Sequence, residues 1–456
     1  MDLTNLHALT ASDAARLIRD GVLSSAQVVE ACLARIREVD ADVQAWAFLD
    51  PGHALAQARA ADEWRASGRP TGPLHGVPVG VKDIIDTGDM PTEIGSPIYA
   101  GRTPSRDAAV VSMLRSAGAI VMGKTVTTEF AYYAPGKTRN PHDAAHTPGG
   151  SSSGSAAAVA AGMVPLALGS QTNGSVIRPA SFCGVYGFKP SYGLIPRQGV
   201  LTTSATLDHV GVFARSVEDL ALLTEALCGH DPTDPATRPL PAPPLRRVAD
   251  EEPPVPPRLA FVTGPTWPEA EPTTREAFAE LGRPLGERRL VAVELPPIFG
   301  EGIAAHRRIW TAELAFHLDR EHRHGRDRLS ARLLELIEEG RATTAPDYQK
   351  ALAVRERCRR ALSELLERFD ALVTPAAPGE APRGLAATGS PAFCTLWSLT
   401  GAPAVSLPIM QGPSGLPLGC QLVGAEGDDA RLLRTARWLA GLVAEQPGDA
   451  EASAPP

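Results

Sequence analysis

The chain of 456 residues is predicted to fold as an α/β protein, in which helices cover both faces of a β-sheet. Short apolar runs alternate along the chain with segments of helical periodicity, and this alternation is typical of the class. Hydrophobic residues make up 43% of the chain, which is enough for a large core. Such sheets bind their ligands beyond the carboxyl ends of strands, so polar residues that follow the apolar runs are functional candidates.

The N-terminal segment is predicted to form two helices between residues 10 and 40. Ser12 is expected to cap a helix over residues 13–20, which Gly21 ends. Ser24 and Gln27 have the spacing of a capping box, and they predict a second helix that reaches about Asp40.

The next part of the chain supplies the alternation of strands and helices. Strands are expected at 77–81, 119–122 and 164–168, and helices at 108–117 and 156–161. Lys82 follows the first strand directly, and a polar loop follows the third. Both positions therefore fall at the edge of the sheet where ligands bind.

The second half of the chain divides by composition. The proline-rich stretch 231–257 is expected to be an irregular connection, and residues 273–369 a mostly helical insertion on the substrate side. Apolar runs at 371–374 and 404–408 are expected to return to the same sheet. We therefore expect one domain over residues 1–445, with a core formed by 70–230 and 370–440, and a disordered tail over 446–456.

Composition argues against several classes of function. The net charge of −8 arises from mixed signs, and the Arg/His-rich stretch 320–326 is interrupted by acidic residues, so nucleic acid is not an expected partner. The six cysteines have no paired spacing and are expected to be buried thiols, without a metal. With neither a secretory signal nor a membrane span visible, a cytoplasmic protein without a membrane partner or a cofactor is expected.

Two Ser/Gly-rich turns, within residues 149–155 and 169–175, carry the strongest chemical signal. Glycine-rich turns can direct several backbone N–H groups to one point, which suits a phosphate or a developing oxyanion. The spacings of phosphate-binding loops are absent. Residues 150–154 fit the GxSxG pattern of α/β-hydrolases, with Ser152 as nucleophile, but a polar, proline-bounded loop precedes them where that motif needs a strand.

Residues 147–191 resemble the signature of the amidase signature family, and the nearest branch resembles malonamidase-type and general bacterial amidases. The similarity continues in ordered flanking segments at 74–83, 117–124, 207–211 and 415–421. The resemblance implies a single large mixed sheet with helices on both faces. It also implies a serine amidase, a hydrolase of linear amide C–N bonds, with a small-molecule amide as its substrate.

The resemblance implies three catalytic residues. Ser175 falls on the nucleophile of the family, Ser151 on its bridging serine, which follows a cis peptide bond, and Lys82 on its base. Lysine accepts a proton only when it is neutral, so its pKa must fall by about three units, which burial can achieve. Asp83 is adjacent in sequence, but on a strand its side chain would point to the opposite face.

Two neighbours of the nucleophile bear on specificity. The oxyanion is expected to be bound by the turn of Thr172, Asn173 and Gly174, where Asn173 replaces the usual glycine and is expected to tolerate left-handed backbone geometry. Arg178 either clamps a substrate carboxylate or braces the turn through backbone carbonyls. Four histidines are interpreted as structural or surface residues: His75, His142, His146 and His209.

Three functions follow from these assignments. The main hypothesis is an amidohydrolase that releases ammonia or an amine through an acyl-enzyme. The alternative is an A-type amidotransferase component that supplies ammonia to a partner, although Gln171 and Asn173 favour a free-standing hydrolase. The third is an esterase that uses Ser152. The oligomeric state stays open between a monomer and a homodimer.

Overall fold

A single mixed β-sheet of eleven strands runs through the described part of the molecule. The structure is a computed structural model that describes residues 5–132 and 134–445. The strands are β1 Trp46–Leu49, β2 Pro78–Lys82, β3 Ile120–Thr125, β4 Leu166–Gln171, β5 Tyr186–Lys189, β6 His209–Ala214, β7 Leu259–Thr263, β8 Leu290–Glu294, β9 Ala371–Pro375, β10 Ala404–Gln411 and β11 Pro417–Val423.

Helices cover both faces of this sheet, as the sequence predicted. Alternate residues of β4 show the two sides, because Leu166 and Leu168 join one apolar cluster and Ala167 joins another. The helices are α1 Ala11–Arg19, α2 Ser25–Val43, α3 Pro51–Ala66, α4 Ala109–Ser116, α5 Ser153–Ala160, α6 Ile177–Cys183, α7 Val217–Leu227, α8 Leu245–Asp250, α9 Pro272–Arg289, α10 Ile298–His317, α11 Asp319–His324, α12 Ala331–Arg341, α13 Ala345–Leu366, α14 Ala392–Thr400 and α15 Asp429–Ala444.

The strand order is β1-β3-β2-β4-β6-β5-β10-β11-β9-β7-β8. Strand β2 lies between β3 and β4 and is parallel to both, with Val81 opposite Leu168. Parallel neighbours end at the same edge of a sheet, so Lys82 at the end of β2 lies beside the last residues of β4. This register brings Lys82 close to the turn that follows β4 and carries Ser175.

The N-terminal helices test the capping predictions. The capping box of Ser24 and Gln27 is present, and α2 continues three residues beyond the expected end. The assignment of Ser12 as a cap was wrong. Thr10 caps α1 by accepting the N–H of Asp13, and Ser12 instead donates to the carboxylate of Asp219. The tertiary contact has therefore displaced Ser12 from the role that local spacing predicted.

Two predicted segments contain regular structure that composition concealed. The stretch 231–257 was predicted to be irregular, but it contains α8, because Leu245 and Ala249 lie one helical turn apart and are both buried. The insertion 273–369 was predicted to be mostly helical, but it also contains β8, a half-buried edge strand parallel to β7. The five strands predicted from apolar runs are all present, as β2, β3, β4, β9 and β10.

Several features outside the site agree with the sequence. The six cysteines are buried free thiols. No helix among the described residues is long and apolar enough to cross a membrane. The predicted disordered tail over 446–456 lies outside the described residues.

Lys189 provides a stability prediction. This lysine is fully buried, donates to the carbonyl oxygens of Ala402 and Pro190, and has a pKa that burial lowers to about 7. An unfolded lysine titrates near 10.4, so between about pH 7 and 10 the unfolded state binds more protons, and this residue makes stability rise with pH by up to about 1.4 kcal/mol per unit. We expect the free energy of unfolding of Lys189→Met, measured in urea at pH 7, 8 and 9, to lack this rise with pH. The exposed Lys350→Met should keep the wild-type slope, and equal slopes in all three proteins would contradict the prediction.

Candidate active site

Lys82 is the last residue of β2 and is fully buried at the edge of the sheet. Val81 packs in the core on one face, so the side chain of Lys82 points to the other face, which α5 covers. Its Nζ lies 2.7 Å from the Oγ of Ser151, and it also contacts two serine hydroxyls that were not expected beside it: Ser152 at 3.0 Å and Ser170 at 2.8 Å. The lysine is thus surrounded by hydroxyl groups and not by carboxylates.

Burial lowers the pKa of Lys82 well below its ordinary value, because the ammonium loses its hydration. The negative charge of Asp208 acts in the opposite direction and raises it. Asp83 lies just beyond the strand, and its carboxylate accepts the N–H of Glu93 at 3.2 Å. The expectation for Asp83 assumed a position on the strand, but β2 ends at Lys82, so strand alternation does not apply to it. Asp83 is not among the groups that act on the pKa of Lys82, and the side chain of Lys82 has the environment of a neutral amine.

Ser151 follows a cis peptide bond with Gly150, as the resemblance implied. Gly149 precedes it with a φ of +80°, and a Cβ atom there would lie 2.8 Å from the Cα of Pro179. The carbonyl oxygen of Gly150 accepts a hydrogen bond of 2.6 Å from Nη2 of Arg178. This turn directs the hydroxyl of Ser151 toward Lys82.

Ser175 lies in the turn between β4 and α6 and is partly exposed. A small cavity adjoins it, with a lining that also includes Ser151, Asn173, Gly174 and Arg178. Two aromatic side chains, Tyr132 and Trp310, form another part of the wall, with ring centroids 5.1 Å apart. The structure thus brings Ser151 and Ser175 to one small cavity, with Lys82 directly behind Ser151.

Two side-chain amides fix the turn around Ser175. The side-chain oxygen of Gln171 accepts the N–H groups of Val176 and Ile177, at 2.8 and 3.0 Å, and so caps the start of α6. We expected Asn173 to adopt a left-handed backbone conformation, which asparagine tolerates, but its φ is not positive. Its Oδ1 instead accepts the hydroxyl of Thr395 at 2.8 Å, so the side chain lines the cavity in a fixed position.

Arg178 is almost completely buried, and its guanidinium is directed at the protein. Nη1 donates to the carbonyl oxygen of Gly389 at 2.9 Å, and Nη2 donates to Gly150 and to the hydroxyl of Thr388. These contacts join the turn of Ser151 to the helix that follows Ser175. This geometry is that of an arginine that braces the turn through backbone carbonyl oxygens, which was one of the two alternatives for Arg178.

The esterase hypothesis finds no support in the geometry of Ser152. This serine is fully buried at the N-terminus of α5, where it contacts Lys82 and donates to the carbonyl oxygen of Ser170. No histidine lies among the described residues that line the cavity. Three of the four candidate histidines bond to backbone carbonyl oxygens, and the fourth pairs with a nearby aspartate: His75 with Ala61, His142 with Cys183, His209 with Leu207, and His146 with Asp143.

Three residues that the sequence did not suggest are part of this environment. Asp208 accepts the hydroxyl of Thr172, His306 contacts the carbonyl oxygen of Thr172, and the hydroxyl of Ser398 donates to the carbonyl oxygen of Asn173. His306 and Ser398 lie more than 100 residues beyond the turn that they contact. Of the three, only Asp208 had a sequence signal. It lies in the flanking similarity at 207–211, to which no role was assigned.

Comparison with known proteins gives consistent results. The family model described as Amidase matches residues 27–433. The A-type component of the glutamyl-tRNA(Gln) amidotransferase of Chloroflexus aggregans is 37% identical, over 95% of this chain and 96% of its own length. A solved chain from a vestigial protein complex that bears on the origins of an s-triazine catabolic enzyme has a TM-score of 0.89 at 31% identity, covering 95% of this chain and 98% of that one. The peptide amidase of Stenotrophomonas maltophilia has a TM-score of 0.82 at 29% identity, with 96% and 97% covered.

Proposed function

Since the chain belongs to the amidase signature family, we propose that it cleaves the C–N bond of a carboxamide through an acyl-enzyme formed on Ser175. One observation carries this proposal. A buried lysine of lowered pKa lies 2.7 Å from Ser151, and Ser151 shares a small cavity with Ser175. A serine hydroxyl needs a base to become a nucleophile, and a neutral lysine that acts through a second hydroxyl supplies one.

The hydrogen bonds of Lys82 support a direction for the relay. A neutral amine has two hydrogens and one lone pair, so one of its three serine neighbours must donate to it. Ser152 uses its own hydrogen on the carbonyl oxygen of Ser170. Of the two that remain, Ser151 lines the cavity and Ser170 does not, so we assign Ser151 as the donor to Nζ, ready to accept the proton of Ser175.

The proposed reaction has two halves. Ser175 Oγ bonds to the amide carbon as its proton passes to Ser151 and that of Ser151 passes to Lys82. The oxyanion binds backbone N–H groups of the turn that includes Thr172, Asn173 and Gly174. The C–N bond breaks as the proton returns through Ser151 to the leaving nitrogen. Water then attacks the ester by the same relay, releases the carboxylic acid and restores Ser175.

The leaving group has two candidate fates, which different observations favour. As one component of an amidotransferase, the chain would take ammonia from an amide donor and supply it to a protein partner. The 37% identity to the A-type component of a glutamyl-tRNA(Gln) amidotransferase favours this fate, against the preference for a free-standing hydrolase that we drew from Gln171 and Asn173.

The cavity favours the free-standing hydrolase. Free glutamine carries an ammonium group whose burial requires an acceptor or a negative charge. The described residues that line the cavity include Arg178 but no acidic side chain. An uncharged acyl group therefore suits the cavity beside Tyr132 and Trp310 better than the charged end of an amino acid does.

Ammonia release by the purified chain distinguishes the two fates. The assay compares glutamine with small carboxylated, aliphatic and aryl amides. Turnover of a simple amide with little turnover of glutamine supports the free-standing hydrolase. Glutamine turnover that appears only with a co-expressed partner supports the amidotransferase component, and the absence of turnover and of an acyl-enzyme on Ser175 would exclude both.

Arg178 provides a specificity prediction in the same assay. We expect Arg178→Ala to lower kcat/KM on every amide by a similar factor, about 10- to 100-fold, because a loosened turn misplaces the relay for all substrates alike. The exposed Arg308→Ala on α10 serves as the control. A selective loss on carboxylated amides would instead identify Arg178 as a carboxylate clamp.

A further inference from the structure

Two helices that are distant in sequence hold the turn that precedes Ser175. His306 of α10 places its Nε2 3.0 Å from the carbonyl oxygen of Thr172, and both residues are buried. A carbonyl oxygen can only accept, so Nε2 must carry the hydrogen. Burial lowers the pKa of His306 to about 4, so the ring is a neutral donor at pH 7.

Ser398 of α14 holds the next peptide group. Its hydroxyl donates to the carbonyl oxygen of Asn173 and accepts a hydrogen bond of 3.1 Å from the side-chain amide of Gln171. Because Gln171 fills the acceptor side of the hydroxyl, the single hydrogen of Ser398 is directed to Asn173. The third carbonyl oxygen, that of Gly174, accepts the N–H of Arg178 at 3.0 Å within the first turn of α6.

We infer that His306 and Ser398 are positioning residues that orient the peptide N–H groups of Asn173 and Gly174 toward the oxyanion; this rests on the proposed function. In a trans peptide the C=O of one residue and the N–H of the next point in opposite directions. A donor on the carbonyl oxygen of Thr172 therefore directs the N–H of Asn173 away from α10. The donor on the carbonyl oxygen of Asn173, Ser398, likewise directs the N–H of Gly174 away from α14.

The neighbouring contacts allow little freedom in this arrangement. A Cβ atom on Gly174 would lie 2.9 Å from the Cβ of Pro391, so the turn packs tightly against the start of α14. The side chain of Asn173 is tied to the same helix through Thr395. Backbone donors that are fixed before the reaction stabilise the transition state without the cost of reorganisation.

The expected effect appears in kcat and not in KM, because the oxyanion forms only in the transition state. Loss of a whole oxyanion donor costs about 100- to 1,000-fold in kcat, and a donor that stays but loses its alignment should cost less. We therefore expect His306→Leu to lower kcat about 10- to 100-fold with KM changed less than about threefold. Ser398→Ala should lower kcat about tenfold in the same way.

The experiment measures kcat, KM and Tm with the best amide of the panel. His306→Gln is the conservative variant, because its side-chain amide N–H can take the place of Nε2–H, and it should recover kcat to within about threefold of the wild type. Thr311→Val is the matched control, since this buried hydroxyl on α10 has no hydrogen-bond partner among the described residues. It should leave kcat unchanged.

Three results would overturn the inference: unchanged kcat in both His306→Leu and Ser398→Ala, an effect confined to KM, or equal losses in His306→Leu and His306→Gln at wild-type Tm. If His306→Leu fails to fold, Ser398→Ala and His306→Gln decide alone. A wild-type chain that cleaves no amide would refute the proposed function. A wild-type chain that is active and insensitive to both substitutions would refute only this inference.

Discussion

Replacement of Lys82 by methionine is expected to lower kcat about 10⁴- to 10⁶-fold, which is the range for loss of a member of a nucleophile–base relay. Methionine is unbranched and neutral, so it fills the buried space but offers no basic lone pair. Steady-state kinetics on the best amide measures the loss, and an unchanged Tm establishes that the fold is retained. A residual activity within about tenfold of the wild type would exclude Lys82 as the base.

The Lys82→Arg variant and the pH dependence of kcat/KM provide the controls for this prediction. Lys82→Arg should be as inactive as Lys82→Met, because arginine stays protonated and cannot accept a proton. In the wild type the active form has neutral Lys82, so kcat/KM should fall as the pH drops below the lowered pKa of Lys82 and reach a plateau above it. A profile that falls with rising pH through the neutral range would contradict a lysine base.

Ser175→Ala should abolish turnover to the same extent, about 10⁴- to 10⁶-fold, and should remove the acyl-enzyme. The wild type treated with an activated ester should gain the mass of the acyl group on the peptide that contains Ser175. Mass spectrometry of the quenched protein checks both statements. Acylation of another serine with Ser175 replaced would refute the assignment.

The neighbouring serines separate the relay from the esterase hypothesis. Ser151→Ala should lower kcat at least about 10³-fold, since it breaks the proton path between Ser175 and Lys82. Ser152→Ala should lower kcat only about tenfold, because Ser152 accepts a hydrogen bond from Lys82 but lies outside the cavity. The reverse order of effects would favour Ser152 as nucleophile.

The sequence predicted those parts of the fold that local patterns determine. The capping box of Ser24 is a contact between residues three positions apart, and β2 and β4 are short apolar runs buried on both faces. β8 was missed because an edge strand needs only half-buried residues, and because it lies within a stretch rich in Arg, Glu, Leu and Ala that was assigned to helix as a whole. Ser12 was misassigned because its partner, Asp219, lies 207 residues away.

The same distinction applies to the site. Lys82, Ser151 and Ser175 occur in motifs, and the structure brings them to one place. His306 and Ser398 could not be identified, because a lone histidine on a helix and a serine in an apolar helix have no distinctive spacing. Their contacts arise only when α10 and α14 pack against the turn.

That packing has a consequence for the order in which the protein is made. Translation supplies Lys82, Ser151 and Ser175 within the first two fifths of the chain, whereas His306 and Ser398 emerge from the ribosome only later. β4 also pairs with β6, and β5 with β10, so the centre of the sheet closes only once residues from the last sixth of the chain arrive. A nascent chain would therefore carry every reacting group and still lack the fixed turn, so we expect the proposed amide cleavage to reach its full rate only when synthesis is nearly complete.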